Sequence, residues 1–295
     1  MGLRIRTNVS SLNAQRKLAE TTLKLSANIE KLSGGHRINR ASDDAAGLGV
    51  SENLRAKIRS MTQAKRNAND GVSLIQVAEA GMNEVSNILI RLRELSIQAA
   101  SDTIGNRERS FANKEYMQLV EEIDRIGNVT EFNGIKLLRG GNDEGSLEKL
   151  TLHVGAGDGF KPNHDTIDID LSKLKILSDE TFGIQGEEGI GPVDPNDEAF
   201  SRDSVTPKLK TLDDALNLVN SMRSELGAKQ SRLNSTINNL AIATENMSAS
   251  KSRIRDVDFA SESASYTQNR ILQQGGASIL SQANSLPELV IGLIR

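Results

Sequence analysis

The chain has 295 residues, 37% of them hydrophobic and 25% charged, with six Phe, two Tyr and no Trp, so its core must come from aliphatic side chains. It has no cysteine, which excludes disulfide scaffolds, thiol nucleophiles and thiolate metal sites. The formal net charge is −3, but residues 1–66 carry 13 Lys/Arg against five Asp/Glu, a local +8, which leaves −11 for the remainder.

A basic segment of this kind reads either as a solvated helix face or as a surface that docks on an acidic face of a neighbouring copy. Nucleic acid is not expected, because few aromatic side chains interleave with the cations as stacking platforms. The longest apolar run is a handful of residues, Leu289 to Ile294, against the ~20 needed to cross a bilayer, so no membrane insertion is expected. Met1-Gly2-Leu3-Arg4-Ile5-Arg6 carries two arginines but no apolar segment follows, so an ordinary secretory signal is missing, and if the protein leaves the cell another export route carries it.

Near the start, Val9, Leu12, Leu18, Leu25, Ile29 and Leu32 form a loose helical stripe that breaks at Gly34-Gly35. From Leu54 a heptad seam follows, with Leu54, Met61, Ala68, Ile75, Met82 and Leu89 at a and Lys57, Ala64, Gly71, Ala78, Val85 and Leu92 at d. No proline precedes Pro162, so nothing in this half interrupts a long helix. A shorter amphipathic segment steps through Ala112, Tyr116, Leu119, Ile123 and Ile126.

Between Asn133 and Pro207 the period changes to two: Leu150, Leu152 and Val154 alternate with polar neighbours, as do Ile167, Ile169 and Leu171, which predicts a β-hairpin region. Gly183 to Pro195 reads as exposed loop. A second long seam places Leu212, Val219, Leu226, Leu233, Leu240, Met247 and Ile254 at a, with Ala215, Met222, Ala243 and Val257 at d. The fold class is therefore mainly α: a long antiparallel helical rod or coiled-coil bundle with a small β-hairpin region. Leu286, Leu289, Val290, Leu293 and Ile294 close the chain as an apolar stripe on a helix too short to stand alone. The two terminal stripes either pair within one molecule or complete their burial against other copies.

No constellation supports catalysis, a cofactor or a metal. His36, His153 and His164 lack partners at ligand spacing. Asp43-Asp44, Glu121-Glu122 and Glu187-Glu188 are sequence neighbours that point apart on a helix, and Asp43-Asp44 reads as a helix start. Gly155-Ala156-Gly157-Asp158-Gly159 lacks the Lys-Ser/Thr ending of a phosphate loop.

The run from Ser33 to Leu48, Ser-Gly-Gly-His-Arg-Ile-Asn-Arg-Ala-Ser-Asp-Asp-Ala-Ala-Gly-Leu, closely resembles the N-terminal signature of bacterial flagellins. Asn67-Ala68-Asn69-Asp70-Gly71, Glu131-Phe132-Asn133-Gly134, Arg253 to Asp258 and the tail from Leu280 to Arg295 resemble it too. The resemblance covers about 1–140 and 205–295. It departs at His36, where the family often has Leu or Tyr, and the large variable outer domains of long flagellins are absent. It implies an inner-core coiled coil from 1–45 and 256–295, and an outer-core bundle from 46–205, with its β-hairpin region, and 206–255. It further implies a structural, non-enzymatic subunit that polymerises into the extracellular filament that drives swimming. The assembly residues would be Val9, Leu12, Leu286, Leu289, Val290, Leu293 and Ile294. Implied partners are other copies, an export chaperone, the type III export apparatus, hook-associated junction and cap proteins, and an animal Toll-like receptor contacted by Arg91, Leu95 and Glu115. A hook-filament junction protein and a soluble helical-rod adaptor are the competing readings.

Overall fold

The computed structural model describes residues 7–140, 147–155, 157, 165–176, 181–184, 189–192 and 205–294, with only the backbone described for 286–294. Among them are five helices: α1 (Val9–Gly34), α2 (Ala45–Ala99), α3 (Asn106–Val129), α4 (Val205–Arg255) and α5 (Phe259–Ile294). Two antiparallel hairpins complete the described elements, β1 (Glu131–Phe132) with β2 (Ile135–Lys136), and β3 (Lys149–His153) with β4 (Thr166–Asp170). The chain divides into one unit from residues 1–58 and 245–295 and a second from 59–244, so α2 and α4 contribute to both.

Local chemistry sets the helix ends. The Asn8 Oδ1 accepts the Ser11 N–H at 3.0 Å and opens α1, and Gly35 at φ 67° closes it in the left-handed conformation that glycine adopts without strain. Asp44 opens α2 by accepting the Gly47 N–H at 2.8 Å, while Asp43 gathers the backbone N–H groups of Asn39 and Arg40 in the preceding turn. The Asp43-Asp44 pair is thus the helix start expected from its sequence. Asp258 opens α5 by accepting the Ala260 N–H at 3.0 Å. Pro207 lies in the first turn of α4, where a missing N–H costs no helical bond.

In the second unit α3 and α4 each run antiparallel to α2: Arg91 and Ala99 of α2 meet Glu115 and Arg109 of α3, and Arg93 and Glu79 of α2 pair with Asp213 and Arg223 of α4. The α2 seam from Ala64 to Leu92 is buried at every heptad position, Gly71 included, and Leu212, Val219, Leu226 and Leu233 meet it from α4. Tyr116, Val120 and Ile123 complete the core from α3.

Gly71 makes room for the β-hairpin. A Cβ at that position would overlap the Leu152 side chain of β3, so the one glycine in the seam is where the hairpin seats against α2. Asn67 anchors the same strand by donating to the His153 carbonyl at 2.9 Å. The register pairs Leu150 with Ile169 and Leu152 with Ile167, which keeps the alternating apolar positions on one face. The smaller β1–β2 hairpin is too short to show alternation, and its signal is the two-residue turn Asn133-Gly134, both residues having positive φ, 51° and 80°.

In the first unit α1 and α5 lie antiparallel: Asn8 meets Ala283 at one end and Asn28 meets Asn269 towards the other. The segment after α1 is stitched to the α4–α5 junction by Arg37 N–H to the Arg255 carbonyl at 2.7 Å and Val257 N–H to the Gly35 carbonyl at 3.1 Å. Arg255 pairs with Glu52 there, which holds the Glu52 carboxyl below the usual carboxylate range.

Candidate assembly faces

The faces that α1 and α5 turn to each other follow heptad spacing but are mostly small or polar. On α1 the covered positions are Ser11, Ala14, Leu18, Thr21, Leu25, Asn28 and Leu32; on α5 they are Glu262, Tyr266, Asn269, Gln273, Gly276, Leu280 and Ala283. Ser11 and Asn28 are the buried residues of α1. Hydrogen bonds cross the seam from Asn8 Nδ2 to the Ala283 carbonyl at 2.7 Å, Ser11 Oγ to Asn284 Oδ1 at 2.6 Å, Gln273 Nε2 to Thr22 Oγ1 at 3.3 Å and Asn269 Nδ2 to Asn28 Oδ1 at 3.4 Å. Leu18 fits over Gly276, where a Cβ would already be in close contact.

Large apolar side chains lie off this seam. Val9 is 63% exposed, Leu12 57% and Leu23 73% on α1, and Ile271 62% and Ile279 61% on α5. Ile29, Phe259 and Leu272 are exposed as well. The expected N-terminal stripe therefore splits: Leu18, Leu25 and Leu32 turn toward α5, while Val9, Leu12 and Ile29 turn away. Shallow apolar grooves lie along both helices, one lined by Leu18, Leu23 and Leu280, another by Ile271 and Leu272. Leu23, Phe259, Ile271, Leu272 and Ile279 were missed in the sequence. Their signal is that Leu272 and Ile279 sit seven apart beside a heptad of Asn, Gln and Gly. The side chains of Leu286, Leu289, Val290, Leu293 and Ile294 lie outside the described residues.

Cations of the N-terminal segment are partly matched nearby. Lys17 and Lys24 bracket Glu20, Arg40 reaches Glu30, and Arg55 shares Glu52 with Arg255. Both lysines hold the Glu20 carboxyl below its ordinary range. Arg4 and Arg6 lie outside the described residues.

On α2, Arg91 makes two hydrogen bonds to Glu115 Oε1, at 2.9 and 2.8 Å, with both side chains about half exposed. The two acids, Glu115 first and then Glu94, raise the guanidinium further above its already high range. Leu95, one turn on, is buried in the core at 2% exposure, so the three residues do not form one continuous surface.

His36 lies beside Asp256, with Nδ1 3.5 Å from Oδ1 across an isolated bridge, and His153 ends β3. His164 and most of Gly155 to Gly159 lie outside the described residues. Among the described residues no group of His, Asp and Glu is arranged to hold a metal, and no helix is long and apolar enough to cross a membrane.

A subunit with two paired terminal helices, an apolar-cored helical unit and a small hairpin region matches known proteins along nearly its whole length. Residues 5–143 match the bacterial flagellin N-terminal helical region and residues 209–294 the C-terminal helical region. A flagellin of Halalkalibacterium halodurans is 40% identical over 99% of both chains, and flagellin FlaB2 of Treponema pallidum is 39% identical over 99% of both. The fold is also similar to that of a Vibrio parahaemolyticus chain assigned to the flagellar hook-associated proteins, with TM-score 0.58 and 16% identity over 72% of this chain and 100% of that one. The chain belongs to the bacterial flagellin family, and with it to the structural subunits that polymerise into the flagellar filament.

Proposed function

We propose that this flagellin joins its filament by burying the outward faces of α1 and α5, with the tail stripe Leu286, Leu289, Val290, Leu293 and Ile294, against neighbouring copies. The observation that carries this reading is the inversion at the α1–α5 seam. Polar and small residues meet within the molecule, while Val9, Leu12, Leu23, Ile271 and Ile279 are left to water. Exposed apolar area at both ends of a chain is a driving force for association, at roughly 25 cal/mol per Å² removed from water. Contacts between unlike faces of successive copies do not close into a ring and so propagate a filament.

In this reading 1–45 and 256–295 form the inner core and 46–205 with 206–255 the outer core. The subunit acts mechanically and performs no catalysis. It reaches the extracellular filament through the type III export apparatus with its chaperone, and meets junction and cap proteins at the filament's ends. Seeded polymerisation tests it. Deleting 286–295, or replacing Leu12 by Asp, abolishes filament growth seen by electron microscopy while the helical signal of the second unit persists; filaments of normal length from either variant refute the assignment. A junction protein would cap growth without propagating it, so continuous filaments of this chain alone separate the two.

The exposed Arg91–Glu115 pair favours a second, additional role as the contact for an animal Toll-like receptor, with Leu95 packed beneath it. Arg91→Ala then weakens binding of the monomer to the receptor ectodomain; unchanged binding removes that role.

A further inference from the structure

We propose that Asn8 is a positioning residue that sets α1 in register on α5, and that Pro287 makes the last turns of α5 depend on it; the consequence for assembly rests on the reading above. An α-helix gives each carbonyl a donor four residues on. Position 287 is proline and has no N–H, so the Ala283 carbonyl has no helical donor, yet α5 continues through Pro287 to Ile294. Ala283 is buried on the seam at 6% exposure, where solvent reaches its carbonyl poorly.

Asn8 supplies the missing donor. Its Nδ2 gives a 2.7 Å hydrogen bond to the Ala283 carbonyl, while its Oδ1 caps α1 through the Ser11 N–H at 3.0 Å. Ser11 then donates to Asn284 at 2.6 Å, the shortest hydrogen bond across the seam. One asparagine therefore completes the start of one helix and the proline-interrupted end of the other. Sliding α1 by one residue moves Asn8 about 1.5 Å along the axis and about 100° around it, which breaks all of these bonds together. A polar residue in a helical seam selects one register in the same way.

The segment beyond Ala283 carries the tail stripe. Its helix is complete only when the N-terminal helix has docked in register, so the two ends of the chain check each other before the apolar tail is presented to a neighbour.

Asn8→Ser tests this, because serine keeps the helix cap but is too short to reach Ala283. Two measurements are made on wild type, N8S, P287A and N8S/P287A: amide exchange of residues 284–294 in unassembled and pelleted protein, and the critical concentration for seeded growth. N8S exchanges about tenfold faster in this segment and needs about tenfold more protein to grow, as expected for one lost buried hydrogen bond. Alanine at 287 restores a helical N–H to the Ala283 carbonyl, so P287A behaves as wild type and the double variant recovers. N8S matching wild type in exchange, or N8S/P287A doing no better than N8S, overturns the proposal. Exchange that follows the expected pattern while wild type fails to polymerise refutes the assembly reading alone.

Discussion

Tyr116 is enclosed by the core at 1% exposure, and burial pushes its phenol up to about 12. Its ordinary value is about 10, so the folded state holds the proton more tightly than the unfolded chain does. The stabilisation is fully present below pH ~10 and is lost as pH rises from there toward 12, a change of about 2–3 kcal/mol for two units. Tyr116→Phe removes that slope, so urea midpoints at pH 9 and pH 11.5 should differ less for the variant than for wild type. Gly127 matters for a different reason. A Cβ there would collide with the Ile176 carbonyl oxygen, which is backbone and cannot swing aside. Gly127→Ala should destabilise by about 1–3 kcal/mol despite alanine's better helix propensity, measured as a lower urea midpoint.

The turn between α2 and α3 is held by a buried arginine. Arg109 donates Nε to the Ala99 carbonyl at 2.9 Å, Nη2 to the Ser101 carbonyl at 3.0 Å and Nη1 to Asn106 at 3.3 Å. It thus satisfies the Ala99 carbonyl, which the end of α2 leaves without a helical donor, and places a cation at the negative end of that helix. Arg109→Met keeps most of the volume but removes the side-chain donor from the carbonyl of the buried Ala99. It should cost about 2–4 kcal/mol and expose the 99–106 segment to limited proteolysis. The α1–α5 pair works differently: with few fully buried apolar side chains at its seam, its contribution lies in alignment more than in stability.

At the scale of the molecule, stability and assembly fall to different residues. Ile123, fully buried in the second unit, contributes to folding; Leu12 and Ile279, exposed in the first, contribute almost nothing to the isolated chain. Ile123→Ala should lower the unfolding free energy of the unassembled protein by about 2–5 kcal/mol. Leu12→Asp with Ile279→Asp should shift it by less than about 1 kcal/mol while abolishing polymerisation, as read by calorimetry and sedimentation of the same samples.

The long helices and their inward faces were legible from the amino-acid order alone, because a heptad of Ile, Met, Leu and Ala over many turns permits one low-energy arrangement. Seams such as Ile75–Met82–Leu89 and Leu212–Val219–Leu226 are buried where their spacing places them. The β3–β4 hairpin was legible through its strict alternation, and the family through its motifs. What spacing could not decide was which side of each terminal helix meets the other. Apolar side chains suggest burial, but here Asn8, Ser11, Asn28 and Asn269 occupy the seam and Val9, Leu12 and Ile279 do not. Periodicity reports which residues share a face. Only the fold shows that a proline-freed carbonyl at Ala283 and an amide at Asn8, 275 positions apart in the chain, satisfy each other, since that pairing depends on the approach of two helices from opposite ends of the sequence.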